Sequence, residues 1–195
     1  MSITRPLAKK QPIPDHAERV FKGVMNDVYQ WQQEMFDGSK ATFEKVKRAD
    51  TVVVYGVLDD GRILLTDQEQ PGKPPFVAAA GGRLDEGEDV LSAAKRELLE
   101  ETGYEASEFI LWDARQPHSQ IDWAVYTFIA KGLKKVAEPH LDAGERITLR
   151  PVTFDELLVV TTAKGFVETE MIPTFQEARL DPAKAKQLRE LFKPL

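Results

Sequence analysis

The 195-residue chain contains no cysteine, which excludes disulfides, thiolate metal sites and cysteine nucleophiles. No run approaches the roughly 18 apolar residues that a membrane-spanning helix needs. The opening Met1-Ser2-Ile3-Thr4-Arg5-Pro6 lacks the apolar segment of a secretory signal, so a soluble, cytoplasmic protein that engages no membrane is expected. A basic surplus is missing too: 26 Lys and Arg stand against 32 Asp and Glu, a formal charge of -6. Such a chain is a poor binder of nucleic acid, and a polyanionic substrate would need cations to screen it. Internal repeats and low-complexity tracts are also absent. What is present is 42% hydrophobic composition, enough for one core domain with an appendage.

Residues 82–104 organise the rest. Gly81, Gly82 and Gly87 read as a loop that turns where larger residues would clash, and Gly103 as the left-handed stop of a helix. Between them the spacing predicts a helix over residues 89–102. Leu91, Ala94 and Leu98 share its core-facing stripe, with Val90 and Leu99 at the edges. Glu97, Glu100 and Glu101 fall together on a neighbouring face, where like charges one turn apart repel. Oxygen-only clusters of this kind suit a hard cation such as Mg²⁺, taken together with substrate phosphates. A solvated acidic face is the plainer alternative for three glutamates alone. Arg96, beside Glu97, can neutralise part of the excess.

Gly82, Glu88, Arg96, Glu97, Leu98, Glu100, Glu101, Gly103 and Tyr104 fill the fixed positions of the pattern G-x5-E-x7-R-E-U-x-E-E-x-G-U, where U is a bulky apolar residue. The stretch therefore resembles the Nudix box, with Tyr104 where an aliphatic residue is usual. The resemblance implies a Nudix fold of the α/β (α+β) class, a mixed β-sheet sandwiched between helices. It implies hydrolysis of a nucleoside diphosphate linked to another group, by in-line attack of an activated water on phosphorus with Mg²⁺ or Mn²⁺ as cofactor. By matched position, Glu97 and Glu101 are the expected metal ligands. Glu100 is a further ligand or a catalytic support, and the carbonyl of Gly81 another possible ligand. Arg96 would hold a glutamate in place, and Glu88 would brace the loop alongside the structural glycines Gly82 and Gly103.

Along the chain, residues 1–16 read as a proline-bearing extended arm. In residues 17–36 Val20, Val24 and Val28 recur at helical spacing, whereas Tyr29, Trp31, Gln33 and Met35 alternate like a strand. The turn dipeptide Asp37-Gly38 favours a small antiparallel unit over residues 17–48, with helix as the alternative. Strands are expected at 51–57, 63–66, 109–112, 123–129 and 147–151, and a short apolar run at 76–80 feeds the box. Polar loops cover 113–122, which holds Arg115 and His118, and 136–146. Thr153, with Glu156 in the capping-box position, starts a helix running to about residue 164. Asp181-Pro182 starts a last one reaching about residue 192. The division is an arm and hairpin at 1–48 and a hydrolase domain at 49–195.

The N-terminal hairpin, Glu69-Gln70, the box and Pro117 together resemble the ADP-ribose pyrophosphatase group of nucleoside diphosphate sugar hydrolases. Two features depart from that group: Pro71-Gly72 replace its aromatic-Arg pair, and Ala78 replaces a glutamate. In that group a loop beyond the box delivers a glutamate as base or ligand. Glu145 matches it best, with Asp142 and Glu138 behind. Arg115 and Glu69 are candidate substrate contacts. Residues 17–48 imply a homodimer, which would set Trp31 or Tyr29 near a nucleobase of the neighbouring chain. Trp31, Trp112 and Trp123 otherwise read as packing residues, and His118 and His140 as ordinary surface histidines. The expected activity is cleavage of ADP-ribose to AMP and ribose 5-phosphate. The alternatives are hydrolysis of another dinucleotide, nucleotide sugar or nucleoside triphosphate, and, from a different class, a Nudix-like ligand sensor.

Overall fold

The computed structural model describes residues 3–7 and 11–195. The expected arm lies partly outside them. Its described pieces are irregular up to residue 14 and are tied down by Arg5, which reaches Asp50 (2.7 Å) and Asp122 (2.9 Å). An antiparallel meander follows: β1 (Glu18–Lys22), β2 (Asn26–Glu34) and β3 (Lys40–Arg48). The strand reading of this segment holds over the helical one. The turn at 35–39, with Gly38 at φ 82°, locks β2 to β3 in a register that sets Trp31 opposite Phe43. What the valine spacing concealed is a second turn between β1 and β2, where the Gly23 N–H donates to the Asn26 carbonyl.

The main sheet holds β4 (Thr51–Val57), β5 (Ile63–Glu69), β6 (Phe76–Ala78), β7 (Ala80–Arg83), β8 (Tyr104–Arg115), β10 (Val125–Lys135) and β11 (Arg146–Val152). The two-residue β9 (Ile121–Asp122) joins the meander instead. Its path is β11-β5-β4-β10-β8, with β6 on β5 and β7 on β4. Only β4 and β10 run parallel in it. Alternation along β4 divides the core. Val52 and Val54 face Ala93, Ala94 and Leu98 of α1 (Val90–Thr102). Val53, Tyr55 and Val57 face a second cluster built with α2 (Phe154–Val160), α3 (Ile172–Leu180) and α4 (Pro182–Leu191). Buried on both faces, β4 needs the continuous apolar run that it has. The result is the mixed sheet between helices that the box implied, and among the described residues no helix is long and apolar enough to cross a membrane.

Helix ends follow local chemistry. Asp89 accepts the Leu91 and Ser92 N–H groups at the start of α1, and Gly103 closes it at φ 73°, where a Cβ would collide with the Ala137 carbonyl. Thr153 and Glu156 form the expected capping box. That helix stops at Val160 rather than near 164, because the Thr161 and Thr162 hydroxyls bond back to the Leu158 and Val159 carbonyls, and Gly165 sits at φ 111° beyond them. Strand β8 is much longer than the apolar core 109–112 suggested: it pairs with β10 from Tyr104 to Arg115, which moves Arg115 out of the loop and into a strand. Helix α3 has no counterpart among the expected elements; its Pro173 occupies the first turn, where no N–H is needed.

Phe175 of α3 is fully buried against Tyr55, Trp112 and Phe166. Phe175→Ala should lower stability by about 3–5 kcal/mol, read as a lower denaturant midpoint at unchanged slope. A loss under 1 kcal/mol would mean that α3 is not part of the cooperative core.

Candidate active site

The cleft, of about 910 Å³, lies where β7, α1, the loop 136–145 and the segment 166–171 meet. Its floor is built by the glycines, by a route that differs from the loop expected of them. Gly81 and Gly82 are extended residues of β7, paired with Val53 and Val52, and neither takes a positive φ. They are small because of what presses on them: a Cβ on Gly81 would enter the Val52 carbonyl, and one on Gly82 would enter the Glu97 carboxylate. Only Gly87 makes the expected turn, at φ 80°.

Arg96 is the hub above this floor. Its Nε and Nη2 donate to Glu88 (2.9 Å each), Nη1 to Glu97 (2.8 Å) and Glu100 (3.1 Å), and Nη2 also to the Arg83 carbonyl (3.0 Å). Glu88 in turn accepts the Asp85 N–H (3.0 Å), and the ion pair draws its pKa below the usual range. Glu101 is outside this network. It is 5% exposed, and its one hydrogen bond among the described residues is from the Gly81 N–H to Oε2 (3.0 Å). Burial, only partly offset by that bond, raises its pKa to about 8, and the charges of Glu97 and Glu145 push the same way. Burial also raises Glu97, against the pull of Arg96.

An all-oxygen donor set, a buried carboxylate with no cationic partner among the described residues and a glycine cradle for a second carboxylate together fit a hard divalent cation. Among the described residues no three acidic or histidine side chains converge as a group that could hold a metal ion unaided.

The NUDIX domain family model matches residues 47–175. The chain belongs to the Nudix family. It is a Nudix hydrolase, of the pyrophosphohydrolase class. It is 29% identical over 170 residues to a methanol dehydrogenase activator of Bacillus methanolicus, covering 85% of this chain and 91% of that one. It is equally, 29%, identical over 169 residues to an ADP-ribose pyrophosphatase of Bacillus subtilis (strain 168), with the same coverage. A solved structure of an ADP compounds hydrolase superposes at TM-score 0.64 and 20% identity over 92% of this chain and 95% of that one, a likeness of fold.

Not every residue singled out in this Nudix chain reaches the cleft. Glu145, Asp142 and His140 line it together with Glu97, Glu100, Glu101, Arg96, Gly81 and Gly82. Glu138 points away, 3.9 Å from Lys135. Arg115 is outside the lining: it is bound at Nε to Asp113 (2.5 Å) and at Nη1 to the Glu170 carbonyl (3.0 Å). Glu69 is exposed at the end of β5, 3.8 Å from Arg146. Trp31 is buried within the meander against Phe43, and Tyr29 lies beside Lys47; neither lines this chain's cleft.

Among the cleft residues that the sequence does not single out are Arg48, Arg83, Glu168 and Glu170. Glu168 is 5% exposed, its Oε1 accepts the Ala79 N–H (2.9 Å), and burial raises its pKa to about 8. It clamps the strand leading into the box. Nothing separated Val167-Glu168-Thr169-Glu170 from a solvated loop, since its placement depends on long-range pairing of Val77 with Phe166.

Glu101 and Glu168 ordinarily titrate near 4.5. With folded values near 8, the folded state holds protons that the unfolded chain releases, so stability falls as pH rises through that window. Chelator-treated protein should therefore melt at progressively lower temperature from pH 5 to pH 8, and Mg²⁺ should raise the melting temperature more at pH 8 than at pH 5. A flat or rising profile without metal would contradict the burial of these carboxylates.

Proposed function

We propose that the protein hydrolyses the diphosphate bond of a nucleoside diphosphate sugar, with ADP-ribose, giving AMP and ribose 5-phosphate, as the first candidate. The observation that carries this is the pair Glu97 and Glu101 against the glycine floor, with Glu145 on the opposing loop. Two things support the choice of substrate: the relative named as an ADP-ribose pyrophosphatase, and a match that covers 85% of this chain and so extends beyond the box.

Glu97 and Glu101, with Glu100 and the Gly81 carbonyl in support, would hold Mg²⁺, or Mn²⁺ in its place. When bound, such a cation supplies positive charge to the phosphoryl oxygens. Arg96 keeps Glu97 aimed at the floor while Glu88 anchors Arg96. Glu145 follows Gly144 in a loop tied to the end of α1 by the His140 N–H, which donates to the Glu100 carbonyl (2.8 Å). From there Glu145 takes the proton of the attacking water as the loop settles over substrate. Arg115 orders the 166–171 segment through the Glu170 carbonyl, and Glu69 contributes at the rim.

The meander of residues 17–48 exposes Val20, Phe21, Val24, Met25, Met35 and Phe36. Two copies of the chain would cover this surface as a homodimer. In that arrangement half-buried Tyr29 is the aromatic best able to approach a neighbouring cleft, while Trp31 stays in the interior. A division at residue 48 follows the same line, and work on a small soluble metabolite suits a cytoplasmic setting.

A panel of ADP-ribose, other nucleotide sugars, dinucleotides and nucleoside triphosphates with Mg²⁺, scored by products, tests the substrate. Preferred turnover of a triphosphate would displace the reading. Glu97→Gln and Glu101→Gln should each lower kcat on the order of a hundredfold or more without loss of fold. Glu145→Gln should lower kcat at nearly constant substrate Kd; a weaker Kd at full kcat would make it a binding group. Light scattering should show a dimer at micromolar concentration, and a monomer whose specific activity is independent of dilution would rule out the assembly.

A further inference from the structure

The acidic cleft carries two arginines that nothing neutralises. Among the described residues neither Arg48 nor Arg83 has a carboxylate within ion-pair distance. The Arg48 Nε is buried without a hydrogen-bond partner, and Arg83 offers Nη1 to the Met25 thioether (2.8 Å), a weak acceptor. Their proximity is built into the fold. Arg83 pairs with Thr51 where β7 meets β4, the Leu84 N–H donates to the Asp50 carbonyl (2.9 Å), and Arg48 ends β3 just before this junction. Arg48 also lies over an aromatic face, its guanidinium carbon 4.6 Å from the centre of the Trp123 ring, and the indole is fixed by its N–H to the Thr51 hydroxyl (2.9 Å).

We infer that Arg48 and Arg83 form an anion seat that takes the second phosphoryl group of a diphosphate while the first lies over the Glu97–Glu101 floor. Arg83 directly follows Gly82, which touches Glu97, so the seat adjoins the floor and a ligand with two adjacent phosphoryl groups spans both. A lone phosphate can occupy only one of them. Burial and the charge of Arg83 both lower the pKa of Arg48, the signature of a desolvated cation facing a like charge, and an anion between them relieves both. Arginine suits the role through its planar fork of donors, which matches phosphate oxygens two at a time. The inference rests on the diphosphate reading of the site but not on which sugar or base is attached.

The test is titration calorimetry of the full chain in Mg²⁺ with inorganic pyrophosphate and, separately, inorganic phosphate. Arg48→Ala and Arg83→Ala should each weaken pyrophosphate about tenfold or more, the effect of losing a charge-assisted contact, while phosphate changes by less than about threefold. Arg48→Lys should behave like the alanine variant because lysine lacks the planar fork that presents two donors at once. Removing Arg83 also removes a repulsion, so its melting temperature should hold or rise. Unchanged pyrophosphate affinity in both variants would overturn the seat. So would equal losses for pyrophosphate and phosphate accompanied by a fall in melting temperature, which mark a structural role. Pyrophosphate binding that depends on these arginines, in a protein that cleaves no nucleoside diphosphate sugar, would sustain the seat and refute the substrate assignment instead.

Discussion

A carboxylate held out of water with no Lys or Arg partner among the described residues is the constraint on which the site depends. Glu101 sits at the end of α1 with one backbone N–H, that of Gly81, to balance its charge. Isolated charges in such a position revert to the neutral acid unless something supplies opposite charge. The surrounding fold makes that position rigid. Ala93, Ala94 and Leu98 seat α1 on Val52 and Val54 of β4, and the same strand carries β7 through pairs with Gly81 and Gly82. Helix and glycine strand are thus both referenced to one buried strand, and the distance between Glu101 and the Gly81 N–H follows from packing that has nothing to do with charge.

Charge is then sorted by location. One arginine, Arg96, gathers Glu88, Glu97 and Glu100 and leaves Glu101 alone. Beside this network Arg48 and Arg83 stand without carboxylate partners among the described residues. A protein optimised for stability alone would pair these groups; keeping them apart leaves a cleft whose electrostatics a cation and a polyanion would each improve. Tension of this kind between stability and function is common where a site must bind charge.

The sequence exposed the parts whose chemistry is local. Gly103, Thr153 with Glu156, and Asp181-Pro182 mark helix ends through contacts within a few residues, and each does so in the structure. The spacing of Arg96, Glu97 and Glu101 placed their side chains relative to one another because a helix fixes that geometry. Features set by distant pairing were hidden. Gly81 and Gly82 looked like turn residues because the Val52 carbonyl and Glu97 that crowd them come from elsewhere in the fold. Arg48 and Arg83 are thirty-five positions apart in sequence and meet only through the β7–β4 register. Arg115 looked available for substrate until β8 extended far enough to bring it to Asp113 and Glu170.

The claim that Glu101 is buried as an unpaired carboxylate awaiting a cation can be tested through the protons it must lose. With a pKa near 8, it is largely protonated at neutral pH, and a cation binding there has to displace that proton. Calorimetric titration of Mg²⁺ into wild type and Glu101→Gln, repeated in two buffers of different ionisation enthalpy, counts the protons released. The account predicts release on Mg²⁺ binding to wild type at pH 7, diminishing toward pH 9 and greatly reduced in the variant. Mg²⁺ binding that releases no proton from wild type at pH 7 would contradict it.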